Sequence, residues 1–140
     1  MAWPADLALL TSSALYVGFQ WTIRLVVYPQ LARVGGADFV AYERAHQRAV
    51  SWAVGPLFLA LGVSCLTALA SRPSPATLAA AVGVAAILGL TGFGAVPQHR
   101  RLSTGFDPMA YRRLLAVDSG RLAVALAVLV VALVQVRGGR

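Results

Sequence analysis

Lysine is absent from this chain, cysteine occurs once, and charged side chains supply only 12% of its 140 residues. Soluble domains carry about a quarter charged residues. A chain of this size that is 59% hydrophobic holds more apolar surface than one small soluble core can hide. The lone Cys65, inside an apolar stretch, excludes a disulfide framework and a cysteine metal site. No glycine-rich loop leads into a helix with lysine, so a phosphate-cradling motif is excluded, and Gly35-Gly36 reads as a turn. None of Ser12, Ser13, Ser51, Ser64 and Ser119 has a histidine in a helical register to activate it, which leaves nucleophilic catalysis little support. Basic residues do not precede the first apolar segment, where Asp6 stands instead, so a cleavable signal peptide is not expected.

What the chain does contain is long apolar runs, with a mean hydropathy of +0.72. A helix needs roughly 20 apolar residues to cross a bilayer. Four stretches meet that length, at residues 7–31, 49–71, 76–97 and 114–136. Gly35-Gly36, Arg72-Pro73-Ser74-Pro75 and Gly105 separate them, Asp38 and Asp107 are candidate N-caps, and Pro108 suits a first helical turn. The expectation is an all-α fold: a single integral membrane domain over 1–140, built as a four-transmembrane-helix bundle.

Twelve arginines face five acids, a balance of +7 that would suit nucleic acid only if it formed an exposed basic face. Instead the arginines flank the apolar runs. Arg33, Arg44, Arg48, Arg100, Arg101, Arg112 and Arg113 gather at the first and third connections, against Arg72, Arg137 and Arg140 on the other side. The positive-inside rule places those two connections in the cytoplasm and both termini outside, in a bacterial plasma membrane. Nucleic acid is excluded as a partner; the lipid bilayer is the expected one, with a lipophilic small molecule and a second copy of the chain compatible with it.

The halves resemble each other. Pro29-Gln30 with Arg33 matches Pro97-Gln98 with Arg101, and Asp38-x-x-Ala41-Tyr42-x-Arg44 matches Asp107-x-x-Ala110-Tyr111-x-Arg113. Each half reads as a helix ending near Pro-Gln, a short turn, and an Asp-capped start of the next span, so two hairpins would share one orientation. Small residues at Gly62, Ala79, Gly83, Gly89 and Gly92 allow close helix approach in lipid, where dispersion rather than hydrophobicity drives association.

Once the spans are aligned, polar residues fall at one depth near the cytoplasmic side. Gln20 and Arg24 stand near the end of the first span, Glu43, His46 and Gln47 before the second, Gln98 and His99 at the end of the third, and Asp118 and Arg121 early in the fourth. Ionisable groups in a membrane are costly, turn inward and mark function. Asp118 and Arg121, three apart, form a local ion pair, while Arg24 sits where snorkelling and burial compete. Glu43 and His46 form a Glu-x-x-His pair, but carboxylate-bridged metal bundles use two such pairs. The matching position reads Arg112-x-x-Leu115, and His99 and Asp118 add ligands only if the helices converge, so the sequence assigns no metal and no cofactor.

Gln20, Tyr28-Pro29-x-Leu31, Phe39-x-x-Tyr42-x-x-x-His46 and Pro56, followed by Thr91, Pro97, Leu102 and Arg121, resemble the anthrone-oxygenase-like family of small four-helix integral membrane proteins, found in bacteria as a conserved membrane domain. This chain departs from the family in His99 and Asp118, where Asn is commoner, and in lacking a Trp near Leu114. The resemblance implies oxidation of anthrones or similar flat phenolic molecules. It also implies a site lined by Gln20, Tyr42, His46 and Arg121. His46 with Glu43 would act as the base, and Arg24 or Arg121 would stabilise the developing oxyanion. Gln98, His99 and Asp118 complete the expected binding set. The alternative reading is a non-enzymatic carrier or an accessory subunit whose polar layer holds the bundle together.

Overall fold

The computed structural model describes residues 4–138; Arg140, counted above for topology, lies outside them. Every regular element among the described residues is helical: α1 (Pro4–Thr22), α2 (Tyr28–Leu31), α3 (Gly36–Ser71), α4 (Pro75–Gly89), α5 (Val96–Leu102) and α6 (Pro108–Gly138). Two π-helical turns, Ile23–Val27 and Leu90–Ala95, join α1 to α2 and α4 to α5 without a break.

The helices end shortly after Pro-Gln, at Leu31 and Leu102, and these turns carry each of them through its proline. A proline inside a helix lacks its N–H and clashes with the carbonyl four residues back. Here the turn before each proline widens by one residue, so Tyr28 N–H bonds to Ile23 O and Val96 N–H to Thr91 O. Pro29 and Pro97 are thereby absorbed, and the helices continue to Leu31 and Leu102. The widened turn relieves the clash that the proline would otherwise make, and it does so ahead of both prolines.

Three helical stretches are long and apolar enough to cross a membrane: Gly36–Ser71, Pro75–Leu102 and Pro108–Gly138. The stretch from α1 through α2 is also long enough, but Thr11, Ser12, Ser13, Gln20 and Arg24 make it more polar than the other three. Outward faces are apolar, with Trp52 83% and Phe93 91% exposed. In water such faces would be a liability, and against lipid they are solvated. This is a membrane protein.

Chain ends of the helices follow from local chemistry. Asp107 caps α6 by accepting from the Met109 and Ala110 N–H groups at 2.8 and 3.1 Å. Asp38 does not cap α3; Gly35 occupies that position and Asp38 lies in the first turn, where a carboxylate favours the helix dipole. Ser74 and Thr77 form a reciprocal capping box at the start of α4. At the opposite end of the molecule from the Asp107 cap, Arg72 pairs with buried Asp6 at 2.9 Å.

α1 packs on α3 and α6, and α4 packs on α3 and α6. Close approach occurs at two glycines: a Cβ on Gly83 would meet Val128 at 2.4 Å, and one on Gly94 would meet Val117 at 2.8 Å. Gly62, Gly89 and Gly92 have nothing within 4 Å and Ala79 is exposed, so of the small residues read from the sequence only Gly83 serves this purpose. Two apolar clusters result. One contains Leu9, Tyr16, Leu61, Val84, Ile87 and Val128, the other Ile23, Tyr28, Leu31, Phe39, Leu102 and Leu114. Along each chain segment the buried polar residues Gln20, Glu43, Asp118 and Arg121 fall between the two.

Candidate functional site

Helix α3 sets Glu43, His46 and Gln47 on one face, because residues three and four apart lie one above the other. Glu43 is fully buried. Its Oε1 accepts from Gln47 Nε2 at 3.0 Å and lies 2.6 Å from His99 Nδ1 on α5. Gln47 Nε2 also reaches Ser103 Oγ at 2.7 Å and the His99 carbonyl at 3.2 Å, which fixes the carboxylate and the imidazole relative to each other. The second carboxylate oxygen, Oε2, is buried and has no hydrogen-bond partner among the described residues. A desolvated carboxylate oxygen without a partner costs free energy, and such exceptions to satisfied burial call for a reason.

Three rings close over this group. The His46 and His99 rings are 5.8 Å apart, and the Tyr28 ring stands 6.4 Å from the first and 6.2 Å from the second. Tyr28 is held from behind by its carbonyl, which accepts from the Tyr111 hydroxyl at 3.0 Å. One ligand atom from each of Glu43, His46 and His99 lies within 4.8 Å of the other two.

A second network occupies the neighbouring layer. Asp118, fully buried, accepts from Arg121 Nη2 at 2.8 Å and from Gln20 Nε2 on α1, both at Oδ1. Arg121 Nη1 donates to Thr91 Oγ1 at 3.1 Å, and Thr91 itself donates back to the Ile87 carbonyl at 2.8 Å. The ion pair expected from the i,i+3 spacing is therefore present, and it ties α6 to α1 and to the second π turn.

Both networks border one cavity of about 190 Å³. Its walls are Phe19, Ile23, Val50, Val54 and Phe58, and its polar lining comprises Tyr28, His46, Gln47, Thr91, His99 and Arg121. Ser51, Val96 and Arg100 are exposed lining residues and mark its mouth. A cavity of roughly 150 Å³ accommodates benzene, so this one takes an aromatic ring with substituents, longer parts extending through the mouth. Chemically it offers a carboxylate–imidazole pair that accepts a proton, a second imidazole, and a guanidinium suited to an anionic oxygen.

Of the residues picked out by sequence, His46, His99 and Arg121 line the cavity, Glu43 stands behind His99, and Gln20 and Asp118 stand behind Arg121. Tyr42 does not join them: one position from Glu43 turns it about 100° around the helix, and it is 39% exposed. Arg24 is half-buried and Gln98 half-buried, and neither lines the cavity. Sequence reasoning named Gln47 in the polar layer and Tyr28 in the resemblance without giving either a place in the site, and it passed over Ser103. Gln47, four residues after Glu43, carried a readable signal; Tyr28 and Ser103 depend on how α5 docks. No family model, curated protein or solved structure matches this chain.

Proposed function

We propose that the protein is an integral membrane enzyme of the oxidoreductase class, oxygenase-like, that draws a lipophilic aromatic or quinone-like molecule from the bilayer into this cavity. The observation that carries the reading is the lining itself: His46 and the Glu43–His99 pair on one part of the wall, Arg121 on another, and phenylalanine and valine between them. His46, with Glu43 behind the neighbouring imidazole, takes an acidic proton from a phenolic or benzylic position. Arg121, largely buried in the wall, stabilises the oxyanion that forms. Dioxygen, soluble in the bilayer, is the co-reactant: a CH₂ group between aromatic rings becomes a carbonyl with one oxygen atom, and the other leaves as water.

The same reading takes the stretch from α1 through α2 as a fourth span, which completes a four-helix bundle with both termini outside the cytoplasm of a bacterial cell. Support comes from Gln20, Ser12 and Ser13, polar residues that are buried inside the protein, so that they do not face lipid. Two π turns at matching positions, each just ahead of a Pro-Gln, support descent from a duplicated hairpin.

A second reading, a carrier or an accessory subunit, has one observation in its favour. The Gln20–Asp118–Arg121–Thr91 network is internally neutralised and joins three helical segments, as a purely structural polar layer would. The two are separated by detergent-purified protein supplied with an anthrone-like phenol and oxygen. The enzyme reading expects oxygen uptake with carbonyl product, and a loss of about 100-fold in His46→Ala. Binding of the phenol without turnover, in the unaltered protein, overturns it in favour of the carrier.

A further inference from the structure

We propose that Glu43, His46 and His99 together bind one divalent first-row transition-metal ion. Two imidazoles and a carboxylate are the donor set with which proteins hold Zn²⁺ and Fe²⁺ with positions left open. Calcium and magnesium prefer all-oxygen surroundings, so this set discriminates against them. The three donor atoms, within 4.8 Å of one another, come from two helices, α3 and α5. Donors on a single ion with bonds of about 2.0–2.1 Å sit roughly 3–3.5 Å apart. The His99–Glu43 distance of 2.6 Å is shorter than that, so these two donors part by a few tenths of an ångström to admit an ion, and side-chain rotation of His46 supplies the closure on its side.

Independent support comes from Glu43. It is fully buried, yet Oε2 has no partner among the described residues, so the carboxylate keeps a desolvated lone-pair oxygen for a cation to satisfy. Gln47 donates to Oε1 and to Ser103, the kind of surrounding hydrogen bond that orients a metal ligand. His46 and His99 both line the cavity, so an ion held by them would border the same space as Arg121 and the apolar walls. An ion held there would supply positive charge beside the cavity, where an anionic oxygen could meet it.

The test needs no substrate and does not depend on the reaction proposed above. Protein purified in detergent without a histidine tag is loaded with Co²⁺ or Zn²⁺, desalted, and measured for metal by mass spectrometry and for Co²⁺ visible absorption. One ion per chain is expected, with more than tenfold weaker retention in His46→Ala and His99→Ala and a drop of about 10–100-fold in Gln47→Leu. His46→Cys, which restores a ligand, should retain Co²⁺ with new thiolate absorption. Substoichiometric metal in the unaltered protein, or retention that none of these changes affects, overturns the site. Turnover of a phenol by metal-free protein would leave the proton-acceptor reading standing, and metal binding without turnover would leave this site standing.

Discussion

His99 Nδ1 meets Glu43 Oε1 at 2.6 Å, between helices whose residues lie 56 positions apart in the chain. Glu43 is fully buried and depends on protein partners alone, of which His99 is one. Truncating His99 to Ala removes a donor from a buried carboxylate that already has one unpartnered oxygen, at an expected cost of about 1–3 kcal/mol. Glu43→Gln keeps the volume and a hydrogen bond and should cost less. Thermal unfolding in detergent of Glu43→Ala, His99→Ala and the double variant, each of which removes the contact, measures the coupling, expected at about 0.5–3 kcal/mol. Additive losses would mean that the contact contributes nothing.

The ion pair between Asp118 and Arg121 is a stronger case, because one member without the other is a buried charge. Asp118→Ala strands Arg121 and loses a Gln20 partner as well, so destabilisation of about 3–5 kcal/mol is expected. Replacing both, as Asp118→Leu with Arg121→Met, should recover most of that loss, since it leaves no uncompensated charge. If Asp118→Ala retains full abundance and melting temperature, the pair does not hold the fold and its place is in the chemistry alone.

Helix contacts give a sharper steric prediction. Gly83→Ala puts a methyl 2.4 Å from Val128 Cγ2, so the branched side chain or the backbone must shift, at roughly 1–3 kcal/mol. Gly89→Ala meets nothing within 4 Å and gains helix propensity, so it should be neutral or stabilising by up to about 1 kcal/mol. Val128→Ala should rescue the first and leave the second unchanged. Denaturant midpoints of the four variants decide it.

Much of this organisation is legible in the sequence, and the parts that are not share one cause. Composition and long apolar runs specify helices in a membrane, and Gly35, Arg72–Pro75 and Gly105, with its φ of +151°, mark where the chain turns. The Asp118–Arg121 pair and the shared face of Glu43, His46 and Gln47 follow from helical spacing. The pairing of His99 with Glu43 does not, because it is set by the docking of α5 against α3. The π turns before Pro29 and Pro97 are hidden for a local reason: a helix can widen by one residue to accept a proline, and nothing in a Pro-Gln dipeptide announces it. Gly94, the second close contact, lies within one of these turns, where straight-helix periodicity no longer says which way a residue faces.

The cavity itself can be tested by filling it. Val54, half-buried on α3, lines the apolar wall and makes no polar contact with either network. A tryptophan there puts a large, rigid indole in place of a short branched side chain, inside a space of about 190 Å³. Val54→Trp should therefore abolish binding of a lipophilic phenol, measured by fluorescence quenching or equilibrium binding in detergent. The melting temperature should fall by only a few degrees, because the space is already open to the mouth at Ser51 and Val96 and little repacking is needed. Val63→Trp, on the lipid-facing side of the same helix and 56% exposed at present, is the matched control and should bind as the unaltered protein does. Equal binding by both variants would show that the molecule is recognised elsewhere, and the clustering of His46, His99 and Arg121 around this cavity would then have a structural explanation alone.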